Sequence, residues 1–260
     1  MKNKVNQLLN FLLCTLLIIF FLVFILLNTL LNKDFVLKHI YYVNYSDKVY
    51  NNIVDNFENN LMSANLDIKI DEVVNFTMVN ADILNVIDYI YNDSKLNISV
   101  DILKKNLINA EDKVLEGIYL NREDKEALEK LENRLISIYE DEILINRNIL
   151  NKLSNYMETI RGILLATFVI ILLIMLNLGA VIIKILNKDI IVSVVGSGLV
   201  LFAFFLLLNR KFQDILLVNP AFSELLKSIG ESVLNKMLIG FVILIVIGVL
   251  GIIRQALKTN

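Results

Sequence analysis

The sequence predicts an all-α membrane protein: four transmembrane helices, with a mainly helical extracytoplasmic domain between the first and the second. Three observations lead there. Of the 260 residues 56% are hydrophobic, and the mean hydropathy of +0.63 is too high for one soluble globule. Four stretches contain no charged residue, Val5–Asn32, Gly162–Ile183, Ile190–Asn209 and Met237–Ile253. Each matches the run of about 17 to 25 apolar residues that crosses a hydrocarbon core of about 30 Å. The long segment between the first two stretches places its apolar residues at helical spacing.

Residues 1–33 read as a signal anchor that is kept. The apolar run closes on Leu26, Leu27, Asn28, Thr29 and Leu30, without the small residues that a cleavage site needs. Cys14 sits inside that run, where a thiol acts as a small hydrophobe. Residues 161–260 form a three-helix membrane domain with spans at about 162–186, 190–209 and 237–254. Short segments set the orientation, because Lys and Arg near span ends stay in the cytoplasm while long domains cross largely regardless of charge. With the N-terminus inside, Lys2, Lys4, Lys184, Lys188, Arg254 and Lys258 are cytoplasmic, against Arg210, Lys211, Lys227 and Lys236 in the short outer loop. Both termini are therefore expected inside a bacterial plasma membrane, and residues 34–160 outside it.

That domain is acidic, with 23 Asp and Glu against 13 Lys and Arg, while the rest of the chain holds 4 against 12. Its first stripe is Val49, Ile53, Val54, Phe57 and Leu61, with Ser46 or Asp47 placed as cap. A second, Ile83, Leu84, Ile87, Ile90 and Tyr91, follows Asn80 or Asp82, and a third, from Ile102 to Ile118, follows Asp101. The fourth steps through Leu128, Leu131, Leu135 and Ile138, meets Glu140-Asp141-Glu142, and resumes at Ile145, Ile149, Leu153, Tyr156 and Ile160. No Gly or Pro lies between Asn121 and Arg161, so this helix is expected to run into span two, bent at the acidic triplet. Leu66–Ile70 and Leu96–Val100 alternate apolar and polar residues, but are short enough to be loops with apolar anchors, the reading we favour over strands.

The stretch Asp71-Glu72-Val73-Val74, Ile83-Leu84 to Ile90, Leu96 to Val100 and Asp101-Ile102-Leu103-Lys104-Lys105-Asn106-Leu107 resembles the extracytoplasmic part of uncharacterised bacterial four-span membrane proteins. In those a helix ends, an L-x-I-x-V/L-D segment follows, and a Lys-bearing helix begins. The resemblance covers about 40 residues, lacks the Trp of that pattern in its first helix, and implies an envelope protein without assigning any residue a role.

One Cys and one His exclude a disulfide framework, a Cys/His zinc site and a Cys–His nucleophile pair. No phosphate-cradling Gly loop, G-x-S-x-G or H-E-x-x-H is present. An acidic domain repels nucleic acid. We therefore expect no enzyme and no cofactor. The spans lack the ionisable residues that transport pathways use. Asn177 in span two is placed for an interhelical hydrogen bond. Ser193, Gly196, Ser197 and Gly198, with Gly240, Gly248 and Gly251, allow close helix packing within the chain or, less favoured, along a homodimer seam. Asn219 and Pro220 open an amphipathic helix over about 220–235, with Phe222, Leu225, Leu226, Ile229 and Val233 opposite Ser223, Lys227 and Glu231. Three placements are open: on the membrane surface, against the large domain through Arg210, Lys211 and Lys227, or as a plain extension of span four. Tyr139-Glu140-Asp141-Glu142 reads as a solvated face rather than a cation site, and His39 with Tyr41 and Tyr42 as an interfacial anchor.

The expected partners are the lipid bilayer and a protein, a second copy of the chain included. Display of the outer domain for protein contact, as sensor, scaffold or accessory subunit, is the leading expectation. The alternative is a permease-like subunit of an ABC-type export or signalling machine, matched in layout but with an inner loop, Lys184–Asp189, too short to hold a coupling helix.

Overall fold

A computed structural model describes residues 2–92, 94–144, 147–184, 188–213 and 219–259. They form ten helices: α1 (Lys2–Leu27), α2 (Lys33–Tyr42), α3 (Tyr45–Ser63), α4 (Ile70–Val73), α5 (Phe76–Asn92), α6 (Val100–Val114), α7 (Arg122–Leu144), α8 (Arg147–Lys184), α9 (Lys188–Gln213) and α10 (Pro220–Thr259). Among the described residues there is no strand, and both alternating runs are loops that lead into α4 and α6. The chain divides into two compact units, one of residues 1–39 with 159–260, the other of residues 40–158.

The helical unit is built from α3, α5, α6 and α7, with the short α4 and the start of α8. Val49, Ile53, Phe57 and Leu61 of α3 bury the predicted stripe. Val79, Ile83, Val86 and Ile90 of α5, Leu103 and Leu107 of α6, and Leu135 and Tyr139 of α7 join this core. The helix starts differ from those the sequence predicts. α3 begins after Asn44, whose φ of 51° is a left-handed conformation that Asn tolerates, and Ser46 lies buried inside the helix, donating to Asn80 Oδ1 at 2.8 Å. Asn75 caps α5, its Oδ1 accepting the Met78 N–H at 2.9 Å. Asn80 and Asp82, read as start signals, are interior instead. At α7 Asn121 and Asp124 cap each other reciprocally at 3.0 Å. α7 ends at Leu144 and α8 starts at Arg147. Ile145 lies outside the described residues, as does the Ile149 side chain. α8 runs on into span two as one helix of 38 residues. Its start is tied to α5 by Ser154 Oγ donating to Tyr89 O at 2.8 Å and by Tyr89 OH donating to Asn151 Oδ1 at 3.0 Å.

Among the described residues three helices are long and apolar enough to cross a membrane, over Leu150–Asn177, Ile191–Arg210 and Pro220–Arg254. In α1 the apolar run Phe11–Leu27 is shorter. α9 and α10 form an antiparallel pair. Phe202 stacks on Phe241 with centroids 4.8 Å apart, and Gly198, Gly248 and Gly251 face Ile245, Val195 and Ile191 in turn. α1 runs antiparallel to α10, with Phe21 against Gly240 and the Asn28 carbonyl accepting from Lys236 Nζ at 2.9 Å. It is therefore parallel to α9. Leu13 and Leu17 of α1, Leu201 of α9 and Leu244 of α10 form the shared core. α8 meets α1 through Phe168, stacked on Phe20 at 5.0 Å.

In α10 the amphipathic stretch is continuous with the apolar helix that follows it. Asn219 Oδ1 accepts the Phe222 N–H at 3.0 Å with Pro220 as first helical residue, and one helix of 40 residues follows, as the reading of the stretch as a plain extension expects. Its polar face is narrower than predicted, because Ser223 is buried. Seven and eleven residues on, near-integral numbers of turns, Gly230 and Leu234 are buried too. This helix packs on two faces.

Candidate functional site

In the helical unit, polar chemistry converges on the carboxylate of Asp82, which is 1% exposed. Asp82 sits one turn before Val86 and two before Ile90, on the apolar face of α5, so the helix carries it into the core. Its Oδ2 accepts the Tyr139 hydroxyl at 2.6 Å and the Ser99 N–H at 2.7 Å, while Oδ1 accepts the Ser99 hydroxyl at 2.8 Å. Burial, then the hydrogen bond and charge of Asp82, drives the Tyr139 phenol well above its ordinary range, so it stays a donor. Three donors consume the carboxylate. The cluster joins α5, the loop before α6, and α7. Asp82 holds these elements together and presents no free acid or base.

A second buried acid lies on α6. Glu111 follows Leu107 by one turn and is 5% exposed, with Oε1 lacking any hydrogen-bond partner. It shares a hydrogen bond with the half-buried Glu132 of α7, and two carboxyls so placed hold one proton between them. Burial first, then the charge and hydrogen bond of Glu132 and the charge of Asp112, raise Glu111 to about 7. α4, the other helix against α6, adds Glu72, which Lys113 engages at 2.6 Å. The folded chain thus keeps a proton that the unfolded chain releases near its ordinary 4.5. Between those values the folded state binds more protons, so this stabilisation is full below about pH 4.5 and is lost as pH rises through about 7. With water reaching Glu132, Glu111→Gln is expected to raise stability at pH 8 by about 1–2 kcal/mol. It should also flatten the dependence between pH 5 and 8. Urea titrations of both proteins across that range check this; parallel pH curves would refute the shared proton.

In the membrane unit the small residues divide. Ser197 is fully buried, its hydroxyl bonded to Ser193 O at 2.7 Å and Cys14 O at 3.3 Å, which joins α9 to α1. Ser193 is buried as well. A Cβ on Gly240 would lie 3.1 Å from the Phe21 ring, on Gly251 3.1 Å from Ile191, and on Gly248 2.5 Å from Val195. Gly196 stands apart, since a Cβ there meets nothing within 4 Å. Asn177 departs from the expected interhelical bond. It is exposed, and its amide donates to Leu173 O at 2.8 Å in its own helix, because that carbonyl lies one turn back on the same face.

Of the proposed contact residues, Arg210 is exposed, Phe222, Leu226 and Lys227 are half-buried, and the Lys211 side chain lies outside the described residues. His39 is buried, its Nδ1 2.8 Å from Phe35 O, whereas Tyr41 and Tyr42 are exposed. Sequence reasoning missed Asp82, Tyr139, Glu111 and Lys236. The signal for the two acids was an acidic residue continuing an apolar stripe four residues on, Leu107 to Glu111, or starting one, Asp82 to Val86. Comparison with family models, with curated proteins and with solved structures finds no match for this chain.

Proposed function

We propose that this is a multi-pass protein of a bacterial plasma membrane that displays residues 34–160 outside the cell for contact with other proteins, as sensor, scaffold or accessory subunit. Three apolar helices long enough to cross a membrane support the embedding. The observation that carries the display reading is the separate compact unit of residues 40–158, whose buried Asp82 is spent on the unit's own helix contacts. The α1 helix, antiparallel to α10, serves as the first of four spans. Alternation along four spans puts both termini on one side, and the Lys and Arg bias of the short segments supports the cytoplasmic side. The surface of the helical unit is acidic, which suits a basic face on a partner or on a second copy. The permease-like alternative needs a cytoplasmic helix to engage an ATPase, and only three residues separate α8 from α9.

The test is cross-linking of intact cells with a membrane-impermeant, amine-reactive reagent, followed by pull-down of the tagged chain and mass spectrometry. Adducts are expected on lysines such as Lys104 and Lys105, with envelope proteins or a second copy attached. Recovery of a stoichiometric ATPase would replace display by transport, and absence of adducts from residues 34–160 would reverse the topology.

A further inference from the structure

Between α1 and α10 an open cleft of about 290 Å³ is walled by Phe21, Phe24, Ile239 and Ile243. Gly240 lines it where the two helices meet: without a Cβ, α10 comes close enough to Phe21 to close the bottom of the groove. Phe24, Ile239 and Ile243 are 46%, 58% and 44% exposed, so the cleft opens along the helix surface. These walls accept a hydrocarbon chain.

The mouth differs chemically from the walls. Lys236 lies there, its Nζ 2.9 Å from the Asn28 carbonyl and 4.7 Å above the centroid of the Phe35 ring. An ammonium has three N–H donors. The carbonyl takes one and the ring face attracts the cation, so donor capacity remains for a ligand. Lys38 is near enough for the two charges to act on each other. Among the described residues neither lysine has a carboxylate partner. A cation with donors to spare at the mouth of an apolar groove, with a second lysine in range of its charge, calls for a negative headgroup joined to an apolar chain.

We infer that this cleft binds one anionic phospholipid, with a phosphate oxygen on Lys236 and an acyl chain along Phe24, Ile239 and Ile243. A zwitterionic lipid fits the walls equally well, but its own ammonium is repelled by the positive charge of the lysines, which offsets the attraction of its phosphate. Selection therefore rests on the lysine pair. The inference depends on the membrane reading and is independent of what the helical unit contacts.

The sequence contains no Trp, so Ile239→Trp gives the full-length protein a single indole at the cleft. Reconstituted in zwitterionic vesicles, it is titrated with phosphatidylglycerol or phosphatidylcholine carrying bromines on the acyl chain, which quench nearby indoles. A basic residue near a membrane surface favours anionic lipid by about fivefold. Half-maximal quenching is accordingly expected at roughly fivefold lower mole fraction, or less, for phosphatidylglycerol. Adding Lys236→Gln with Lys38→Gln brings the ratio to about one, and Lys236→Arg keeps it. Leu173→Trp, on the exposed face of α8, reports bulk lipid and shows no headgroup preference. Equal quenching in the Ile239→Trp protein, or a preference that survives removal of both lysines, overturns the lipid site. Loss of the preference to soluble glycerol phosphate reassigns the mouth to a free phosphate. A chain that stays out of the vesicles overturns the membrane reading and the site together, whereas one that inserts without preference overturns the site alone.

Discussion

Asp82→Ala is expected to destabilise the helical unit by about 3–5 kcal/mol, since each buried donor left without an acceptor costs about 1–3 kcal/mol. The substitution strands the Tyr139 hydroxyl and the Ser99 N–H, both of which point at Oδ2. Asp82→Asn separates hydrogen bonding from charge. With its carbonyl oxygen at the Oδ2 position it still accepts both donors, and its amide nitrogen can donate to the Ser99 hydroxyl, so a loss near 1 kcal/mol is expected. Tyr139→Phe removes one donor and leaves Asp82 two, which places it between these values. Urea titration of the full chain, followed by protease cleavage within residues 40–158, measures all three. If Ala and Asn prove equally destabilising, the cluster is not held by hydrogen bonds to Asp82.

Gly248→Leu is expected to cost about 2–4 kcal/mol, at the upper end of overpacking effects. A Cβ at this position would lie 2.5 Å from Val195 Cγ2. Val is nearly confined to one rotamer in a helix and cannot swing aside, so α9 and α10 must separate. That loosens Ile191 against Gly251 and Ile245 against Gly198 on either side. Gly196→Leu is the matched control. A Cβ there meets nothing within 4 Å, and replacing a helical Gly gains up to about 1 kcal/mol in propensity, so it should be neutral or slightly stabilising. Thermal unfolding of the two proteins in the same detergent compares them. Equal melting temperatures would show that Gly248 is not at a tight crossing.

How far the sequence could be read depended on the range of the interaction. The apolar stripe of α3, the cap formed by Asn219 with Pro220, and the loop character of Leu66–Ile70 and Leu96–Val100 follow from neighbours within a few residues, and these local readings agree with the structure. Ser46 and Asp82 were misread for the same reason: a polar residue ahead of an apolar stripe is a cap by local rules. Asp82 becomes a core residue only because Tyr139, 57 residues away, supplies a hydroxyl to it. Gly196 and Gly248 are alike in composition and hydropathy, and only the crossing of α9 with α10 tells them apart.

Composition and periodicity by themselves determined that the chain is helical, that long apolar helices dominate its second half, and that an acidic segment stands apart from them. Those properties sum over many residues, and the hydrophobic effect acts on each with little regard to its distant partners. Tertiary structure alone decided that Asp82, Ser99 and Tyr139 meet, that Glu111 faces Glu132, and that Lys236 stands at the mouth of an apolar cleft. Hydrogen bonds and charge pairs act over a few ångströms, so their partners are set by how helices far apart in sequence cross.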